Sequence, residues 1–226
     1  NLDAVQQIRE TYGQDYRKIF TGDLVDTHEK YSYLNQEECV TTILDMIIKD
    51  KDTDCLLGNH EISYLLPHLY RCSGYNRIME TLLMPHISDI WANFKFFIYD
   101  DVAKLLVTHA GLTNQMWKEY NLTFENLKET LTDWTVSPFH KPYFDIGHAR
   151  GGGSVVGGPL WCDFNMEFSP IEGLIQIFGH TPDIRKGQFV FDGGVRIKGN
   201  NYNIDCIHSR KILLSEDGVF REITIG

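Results

Sequence analysis

The sequence lacks a hydrophobic run that could cross a membrane. No apolar stretch approaches the roughly 18 residues that suggest a transmembrane helix. No signal-peptide pattern is visible at the beginning of the chain. We therefore expect no membrane partner, and we expect a cytoplasmic setting.

The sequence also lacks paired cysteines. Its five cysteines are odd in number and scattered, and none of them forms a Cys-x-x-Cys pair. A disulfide framework is therefore not favoured, and reduced, mostly buried thiols are expected.

An excess of positive charge is missing as well. Lysine and arginine total 21 against 31 aspartate and glutamate, which gives a formal net charge of −10. An acidic surface repels phosphate backbones, so a coat of nucleic acid is not expected. A small phosphorylated substrate held by metal ions is still compatible with this charge, because bound cations determine the local field themselves.

Helical patterns and short apolar runs alternate along the chain. The spacing predicts helices over residues 2–10, 36–48 and 124–134, with Asn1 capping the first. It predicts strands at 18–20, 54–57, 94–99, 105–108 and 175–178, then four more at 188–191, 204–207, 212–214 and 220–225. This order is typical of an α/β fold, in which two sheets could pack face to face. The length of 226 residues suits a single domain, 1–226.

Four of the predicted strands end in the same way. Each leads into a small residue or tight turn and then into polar side chains; the four blocks are GDLVD (22–26), GNHE (58–61), THAG (108–111) and GHTP (179–182). Ligands of open α/β sheets bind at the carboxyl ends of strands, so these blocks are expected to meet. Glycine permits the sharp turns and a close approach of the ligand.

The side chains in these blocks are suitable metal ligands. Asp23, Asn59, His109 and His180 offer oxygen and nitrogen but no thiolate, a set that suits Mn, Fe or Zn. A carboxylate such as Asp23 can bridge two cations, and two metals about 3.5–4 Å apart polarise a phosphoryl group and lower the pKa of a bound water. A lone histidine or aspartate in such a place is usually an ordinary turn or surface residue. The occurrence of all four together favours a metal site.

Two further residues of the same blocks suit acid catalysis. His60 follows the predicted ligand Asn59 and would be free to act as a general acid on the leaving oxygen. Asp26 comes three residues after Asp23 and could hydrogen-bond His60, holding its ring and charge state.

Taken together, the four blocks resemble those of the calcineurin-like metallophosphoesterases, in particular the serine/threonine protein phosphatase type and its diadenosine tetraphosphatase-like branch. The resemblance implies a four-layer α/β/β/α sandwich of two mixed sheets flanked by helices, with a dinuclear metal centre. It implies that Asp23 bridges the metals, that Asn59, His109 and His180 complete the shell of the second metal, and that His60 and Asp26 form the acid pair. The expected cofactors are two divalent metal ions, Mn²⁺ first, with Fe, Zn or Ni as alternatives.

The chain departs from the family pattern in two places. Family members open with a strand and an Asp-x-His-Gly block, whereas this sequence begins at Asn1, so we hypothesise that such a segment precedes it in the full protein. Where the protein phosphatases have Arg-Gly after GDxVD, this chain has Thr27-His28-Glu29. The missing arginine grips substrate phosphate in the family. Arg150 could take over that role beside Asn59, because its planar fork suits phosphate oxygens, or it could form a structural surface pair.

Two segments have more than one interpretation. The glycine-rich stretch 147–158 is either a functional loop, which we favour, or a flexible linker. Residues 71–77 (RCSGYNR) follow GNHE, and their two arginines could meet a substrate or lie on a solvated helix face.

The sequence thus predicts a metal-dependent phosphoester hydrolase that activates water, most simply a phosphomonoesterase of serine/threonine protein phosphatase type. Its partner would be a phosphorylated substrate: a phosphoprotein, a small phosphomonoester or a nucleotide. Two alternatives stay open. One is hydrolysis of the phosphoanhydride of dinucleoside polyphosphates; the other is a catalytically inactive phosphatase fold used as a binding module.

Overall fold

A computed structural model describes residues 1–26, 31–50, 52–136, 142–185, 188–189 and 193–226. The chain is a mixed α/β protein, as predicted. It divides into two compact units, Asn1–Lys95 with Thr224–Gly226, and Phe96–Ile223. The single domain expected from chain length stays a prediction. Within the described residues, no helix combines the length and the apolar character needed to cross a lipid bilayer.

The first unit surrounds a short parallel pair of strands with helices. In chain order it contains α1 (Leu2–Tyr12), β1 (Lys18–Phe20), α2 (Tyr33–Lys49), β2 (Thr53–Cys55), α3 (Asn59–Leu65), α4 (Arg77–Leu83), a 3₁₀ turn (Met84–His86) and α5 (Ile87–Asn93). Strand β1 pairs with β2 in parallel, with Phe20 opposite Cys55. Helix α2 packs against β2 and against α1, α4 and α5.

Local capping explains where the first helices begin. The Asn1 side chain accepts a hydrogen bond from the Ala4 amide at 3.2 Å, as predicted for α1. Ser32 does the same for α2, so this helix begins three residues before the predicted position 36. Its buried stripe includes Val40, Ile43 and Leu44, whereas Ile48, at the end of the predicted helix 36–48, is exposed.

The second unit is built on a mixed five-stranded sheet. It contains β3 (Phe97–Asp100), β4 (Leu105–Thr108), α6 (Asn114–Glu119), α7 (Leu127–Val136), 3₁₀ turns at Pro142–Phe144 and His148–Arg150, β5 (Ile175–Phe178), β6 (Ile184–Arg185), β7 (Gln188–Phe189), β8 (Arg196–Lys198), β9 (Asn201–Asn203), a 3₁₀ turn (Ile207–Ser209), β10 (Lys211–Glu216) and β11 (Val219–Thr224). The sheet order is β3-β4-β5-β9-β8. Strands β4, β5 and β9 are parallel, and both edge pairs are antiparallel. Strands β6 and β7 form a separate pair, as do β10 and β11.

Strands were predicted at 94–99 and 105–108, near β3 and at β4, but the strand predicted at 204–207 is wrong. The strand is β9, three residues earlier, and it carries two almost fully buried asparagines, Asn201 and Asn203. The Asn203 side chain then accepts a hydrogen bond from the Asp205 amide at 3.1 Å, which turns the chain out of the sheet. Buried polar residues leave no hydrophobic pattern, so the sequence placed this strand on the apolar residues that follow.

Candidate functional site

In the first unit, the parallel strands β1 and β2 bring two predicted blocks side by side. Gly22 has a positive φ of 89°, and a Cβ there would lie 2.5 Å from the Gly58 nitrogen. A Cβ on Gly58 would in turn lie 2.3 Å from an Asp23 carboxylate oxygen. The two turns therefore touch through their backbones, and only glycine fits at either contact.

The Glu61 carboxylate ties these two turns together. Glu61 lies in the first turn of α3 and is almost completely buried. Its Oε2 accepts the backbone N–H groups of Asp23 and Gly58, both at 2.9 Å, and its Oε1 accepts the N–H of Leu24 at 2.7 Å. Three charge-assisted hydrogen bonds thus hold the chain on either side of the candidate ligands. No sequence pattern indicated this role of Glu61.

Asp23 and Asn59 lie at this junction of the two turns. Asp23 adopts a positive φ of 57°, which is uncommon for a residue other than glycine, and its Oδ1 accepts the His60 amide at 3.2 Å. Asn59 is buried, and its amide nitrogen donates to the Cys72 sulfur at 3.0 Å. The Cys72 thiol donates back to the Asn59 carbonyl at 3.0 Å. Burial raises the pKa of Cys72 to about 12, so the thiol stays protonated and can keep both contacts.

His60 and Asp26 lie within hydrogen-bond distance of each other. The His60 Nδ1 is 3.0 Å from Asp26 Oδ2, and the Asp26 side chain has no solvent exposure. The second Asp26 oxygen accepts the Tyr64 hydroxyl at 2.6 Å. Asp26 also has a positive φ, 56°. Tyr64 is a partner that sequence analysis missed, although its position one helical turn after His60 on α3 could have indicated it.

The charge around His60 favours its protonated form. Burial opposes protonation of the imidazole, but the negative charges of Asp23 and Asp26 and the hydrogen bond to Asp26 outweigh burial. They raise the pKa of His60 to about 9, from an ordinary value of 6.5. His60 therefore carries a proton at neutral pH, which is the state that a general acid requires.

In the second unit, two histidines meet at the ends of the parallel strands β4 and β5. His109 follows β4 and is fully buried, and His180 follows β5 with a positive φ of 68°. The His109 Nε2 is 3.1 Å from the His180 Nδ1. The Trp161 ring packs edge-on against His180, with 6.0 Å between ring centroids. Two imidazole nitrogens that converge in this way suit a shared cation.

Buried polar side chains hold the turn that carries His180. The Asn203 amide donates to the Gly179 carbonyl at 2.9 Å. Arg196 donates to Asn203 Oδ1 at 3.1 Å and to the Thr181 carbonyl. Burial lowers the pKa of Arg196 and outweighs the nearby carboxylates that act in the other direction. Sequence analysis missed both Arg196 and Asn203, because neither lies in one of the four blocks.

Arg150 makes its contacts within the second unit. One of its terminal nitrogens, Nη2, donates to Thr181 Oγ1 at 2.9 Å and lies 3.1 Å from the Asp163 carboxylate. The Arg150 Nε is buried and has no hydrogen-bond partner in the described part of the chain. The structure thus brings Arg150 to the residue after His180 and gives it a structural pair there.

The glycine-rich stretch 147–158 is tied down along its length. Glu167 accepts the amides of Ala149 and Gly157, both at 2.9 Å. Within the stretch, His148 donates its amide to the Ser154 carbonyl at 2.9 Å. These contacts favour a structured loop over a flexible linker. The segment Thr27-His28-Glu29, where the family arginine is missing, lies outside the described residues.

This chain is similar to known phosphoesterases in sequence pattern and in fold. A family model described as calcineurin-like phosphoesterase matches residues 1–183. The fold is similar to the crystal structure of a cold-active protein-tyrosine phosphatase of a psychrophile, Shewanella sp., with a TM-score of 0.61 and 15% identity over 100% of this chain and 76% of that one. A second structure described as a cold-active protein tyrosine phosphatase has a TM-score of 0.56 at 17% identity, over 98% of this chain and 73% of that one. The crystal structure of a mutant cold-active protein tyrosine phosphatase has a TM-score of 0.55 at 15% identity, over 99% of this chain and 76% of that one. No curated protein matched.

These matches confirm the predicted α/β metallophosphoesterase fold. At this level of identity, the solved structures show likeness of fold alone.

Proposed function

Because the chain belongs to the calcineurin-like phosphoesterase family and is a phosphoester hydrolase, we propose that it hydrolyses phosphomonoesters at a dinuclear metal centre, as serine/threonine protein phosphatases do. The observation that carries this proposal is the His60–Asp26 pair, 3.0 Å apart and next to Asp23 and Asn59. It combines a protonated donor with metal-capable side chains at one edge of the β1–β2 pair. Hydrolysis of dinucleoside polyphosphates is the alternative activity, and the comparison of substrates distinguishes the two.

The donor set suits divalent cations. We propose Asp23 as the bridging ligand and Asn59, His109 and His180 as ligands of the second metal. The contact between the His109 and His180 rings supports this assignment, because both rings direct a nitrogen to the same place. Oxygen and imidazole ligands without thiolate favour Mn²⁺, while Fe, Zn and Ni also fit. When bound, such ions supply Lewis-acid polarisation of the phosphoryl oxygens and lower the pKa of a water.

His60 is proposed as the proton donor to the leaving oxygen. Asp26 holds the Nδ1 side of the ring, so the Nε2 side is available to donate. Tyr64 in turn holds Asp26 through the other carboxylate oxygen. After proton transfer, the neutral imidazole keeps its Nδ1–H bond to Asp26, so the ring stays in place for reprotonation.

Asn59 and Arg150 are proposed to contact the substrate phosphate. Both of the described polar contacts of the Arg150 side chain use Nη2, whereas a guanidinium has five N–H groups. The pair with Asp163 would then orient the guanidinium. Orientation by a carboxylate leaves the planar fork able to meet a phosphate oxygen with its remaining edge.

The test is hydrolysis of phenyl phosphate, whose phenolate leaves more readily when it is protonated, by protein stripped of metal and then supplied with Mn²⁺. His60→Gln is expected to lower kcat by about 10²–10⁴-fold, the usual contribution of a general acid. His86→Gln is the matched control, because His86 pairs with Glu37 at 3.0 Å in the same unit but outside the candidate site. Equal activities of His60→Gln and the wild type would refute the assignment.

Substrate class is tested with the same protein. Phosphoserine peptide, phosphotyrosine peptide and diadenosine tetraphosphate are compared by kcat/KM. Preference for either peptide supports a phosphomonoesterase, and preference for the dinucleotide supports the anhydride alternative. Absence of hydrolysis of every substrate with every metal, in a folded protein, would favour a binding module.

We also propose that the protein works in the cytoplasm. All five cysteines are free thiols. Free thiols throughout a chain are typical of a reducing compartment.

A further inference from the structure

Residues 71–77 carry positive charge on the surface of an acidic protein. The segment contains two arginines and no acidic residue, while the whole chain has a net charge of −10. Arg71 and Arg77 are both exposed. Within the described ranges, neither makes an ion pair with a carboxylate. The Glu80 carboxylate of α4 acts on the Tyr75 hydroxyl, so one carboxylate faces two guanidinium groups here. The remaining positive charge can attract an anion.

Most of the segment is a loop, so the interpretation as a solvated helix face is wrong for Arg71. Helix α4 begins only at Arg77, with Asn76 as its cap, whose side chain accepts the Met79 amide at 2.9 Å. Within the loop, Gly74 has a positive φ of 101°, and a Cβ there would lie 2.9 Å from the Asp26 Cβ. The loop therefore rests directly on the carboxylate partner of His60.

A continuous line of contacts joins Arg71 to the acid pair. The Tyr75 ring stacks on the Tyr64 ring, with centroids 4.9 Å apart and planes inclined by 21°. The guanidinium carbon of Arg71 lies over the same Tyr75 ring, 5.0 Å from its centroid. The Tyr64 hydroxyl then reaches Asp26, which contacts His60.

Arg71 is also fixed from its own side. Its Nε donates to the Pro67 carbonyl at 3.0 Å. One hydrogen bond and one cation–π contact together hold the guanidinium in place on the surface. A guanidinium held in this way loses less conformational entropy when it binds an anion than a freely rotating one would.

We propose that Arg71, held by Tyr75, forms a subsite for a second negative charge carried by the leaving group of the substrate. This inference rests on the proposed role of His60, because the molecule that carries this charge is the leaving group that His60 protonates. The planar fork of arginine suits carboxylates and phosphates alike. We assign the charge to an acidic side chain next to the phosphorylated residue of a peptide; a second phosphate on a nucleotide has the same chemistry and is tested separately.

The experiment compares two phosphoserine peptides that differ only in having glutamate or glutamine on either side of the phosphoserine. The Mn²⁺-supplied wild type is expected to show a kcat/KM for the glutamate peptide about twofold to fivefold higher, the range of an exposed ion pair. Arg71→Gln should bring this ratio close to one, and Arg71→Lys should keep part of it. Arg9→Gln is the matched control, because Arg9 is a half-buried arginine of the same unit that pairs with Asp45.

Three outcomes would overturn the inference. A ratio near one in the wild type, with normal hydrolysis of phenyl phosphate, refutes the subsite and leaves the proposed function intact. A preference that persists in Arg71→Gln refutes the role of Arg71. No hydrolysis of any phosphomonoester by the wild type overturns both proposals.

A second substrate pair distinguishes the source of the charge. Adenosine 3′,5′-bisphosphate is compared with adenosine 3′-monophosphate in the wild type and in Arg71→Gln. The peptide assignment is supported if the preference for the glutamate peptide is lost in Arg71→Gln. It is overturned, in favour of a nucleotide phosphate, if Arg71→Gln loses only the preference for the bisphosphate nucleotide.

Discussion

Replacing Glu61 with glutamine should separate the two turns that carry the candidate ligands. The carboxylate accepts three backbone N–H groups, two on Oε2 and one on Oε1. An amide side chain has only one oxygen. Its best orientation keeps the oxygen on the amides of Asp23 and Gly58 and turns the NH₂ group towards the amide of Leu24, so that two donors face each other.

The magnitude follows from these contacts. A hydrogen bond to a charged group contributes about 1.5–3 kcal/mol, and a buried donor left without a partner costs about 1–3 kcal/mol. One bond is lost and the other two lose their charge, so Glu61→Gln is expected to lower the free energy of unfolding by about 3–5 kcal/mol. That is a large share of the 5–15 kcal/mol that stabilises a typical domain.

Urea-induced unfolding followed by circular dichroism measures this loss. Glu38→Gln is the control, because Glu38 is exposed on α2 and such surface changes usually stay within about 0.5 kcal/mol. Hydrogen exchange gives a local measurement: the amides of Asp23, Leu24 and Gly58 should exchange faster in Glu61→Gln alone. A stability within about 0.5 kcal/mol of the wild type, with unchanged exchange, would refute the argument.

Three further predictions concern the same two turns and the turn that carries His180. The pKa of His60 is raised to about 9 from 6.5, so protonation of His60 stabilises the fold. This stabilisation is complete below about pH 6.5 and is lost as pH rises through 9. In chelator-treated protein, the stability advantage over His60→Gln should therefore shrink by about 3 kcal/mol between pH 6 and pH 9.5, and a difference independent of pH would contradict the shift. Gly22→Ala should cost more than about 3 kcal/mol in thermal unfolding, because backbone atoms block its Cβ, whereas Gly218→Ala, also at positive φ but in open space, should cost about 1 kcal/mol. Asn203→Ala should destabilise the protein by about 2 kcal/mol and weaken Mn²⁺ binding measured by calorimetry, whereas an unchanged binding constant would exclude a role in holding His180.

The sequence predicted secondary structure best where apolar runs end at glycine or a polar turn. The boundaries of β1, β4 and β5 agree with the predicted ones, and each of these strands precedes one of the motif blocks. Agreement was poorer where other contacts override the local pattern. Because Ser32 caps α2, this helix starts earlier than predicted. The buried asparagines of β9 gave no hydrophobic pattern from which the strand could be predicted.

Sequence alone determined the type and order of the chemical groups. Asp, Asn-His, His and His follow the ends of four strands, and this pattern predicted a phosphoesterase that the family match confirms. It also indicated that Asp26 would reach His60, because Asp26 follows Asp23 closely on the same turn. Each of these inferences needs only residue identity, spacing and the rule that parallel strands present their carboxyl ends at one edge.

The tertiary structure alone decided which side chains support those groups. Glu61 binds amides 37 and 38 residues earlier, Cys72 holds the amide of Asn59 from 13 residues away, and Tyr64 reaches Asp26 across 38 residues. No sequence pattern reveals the partners of Glu61 and Cys72, and the spacing of Tyr64 from His60 indicates a shared helix face but not the contact with Asp26. Their hydrogen bonds depend on how the β1–β2 register and the path of the loops bring atoms that are distant in sequence within about 3 Å, and that is a property of the folded chain.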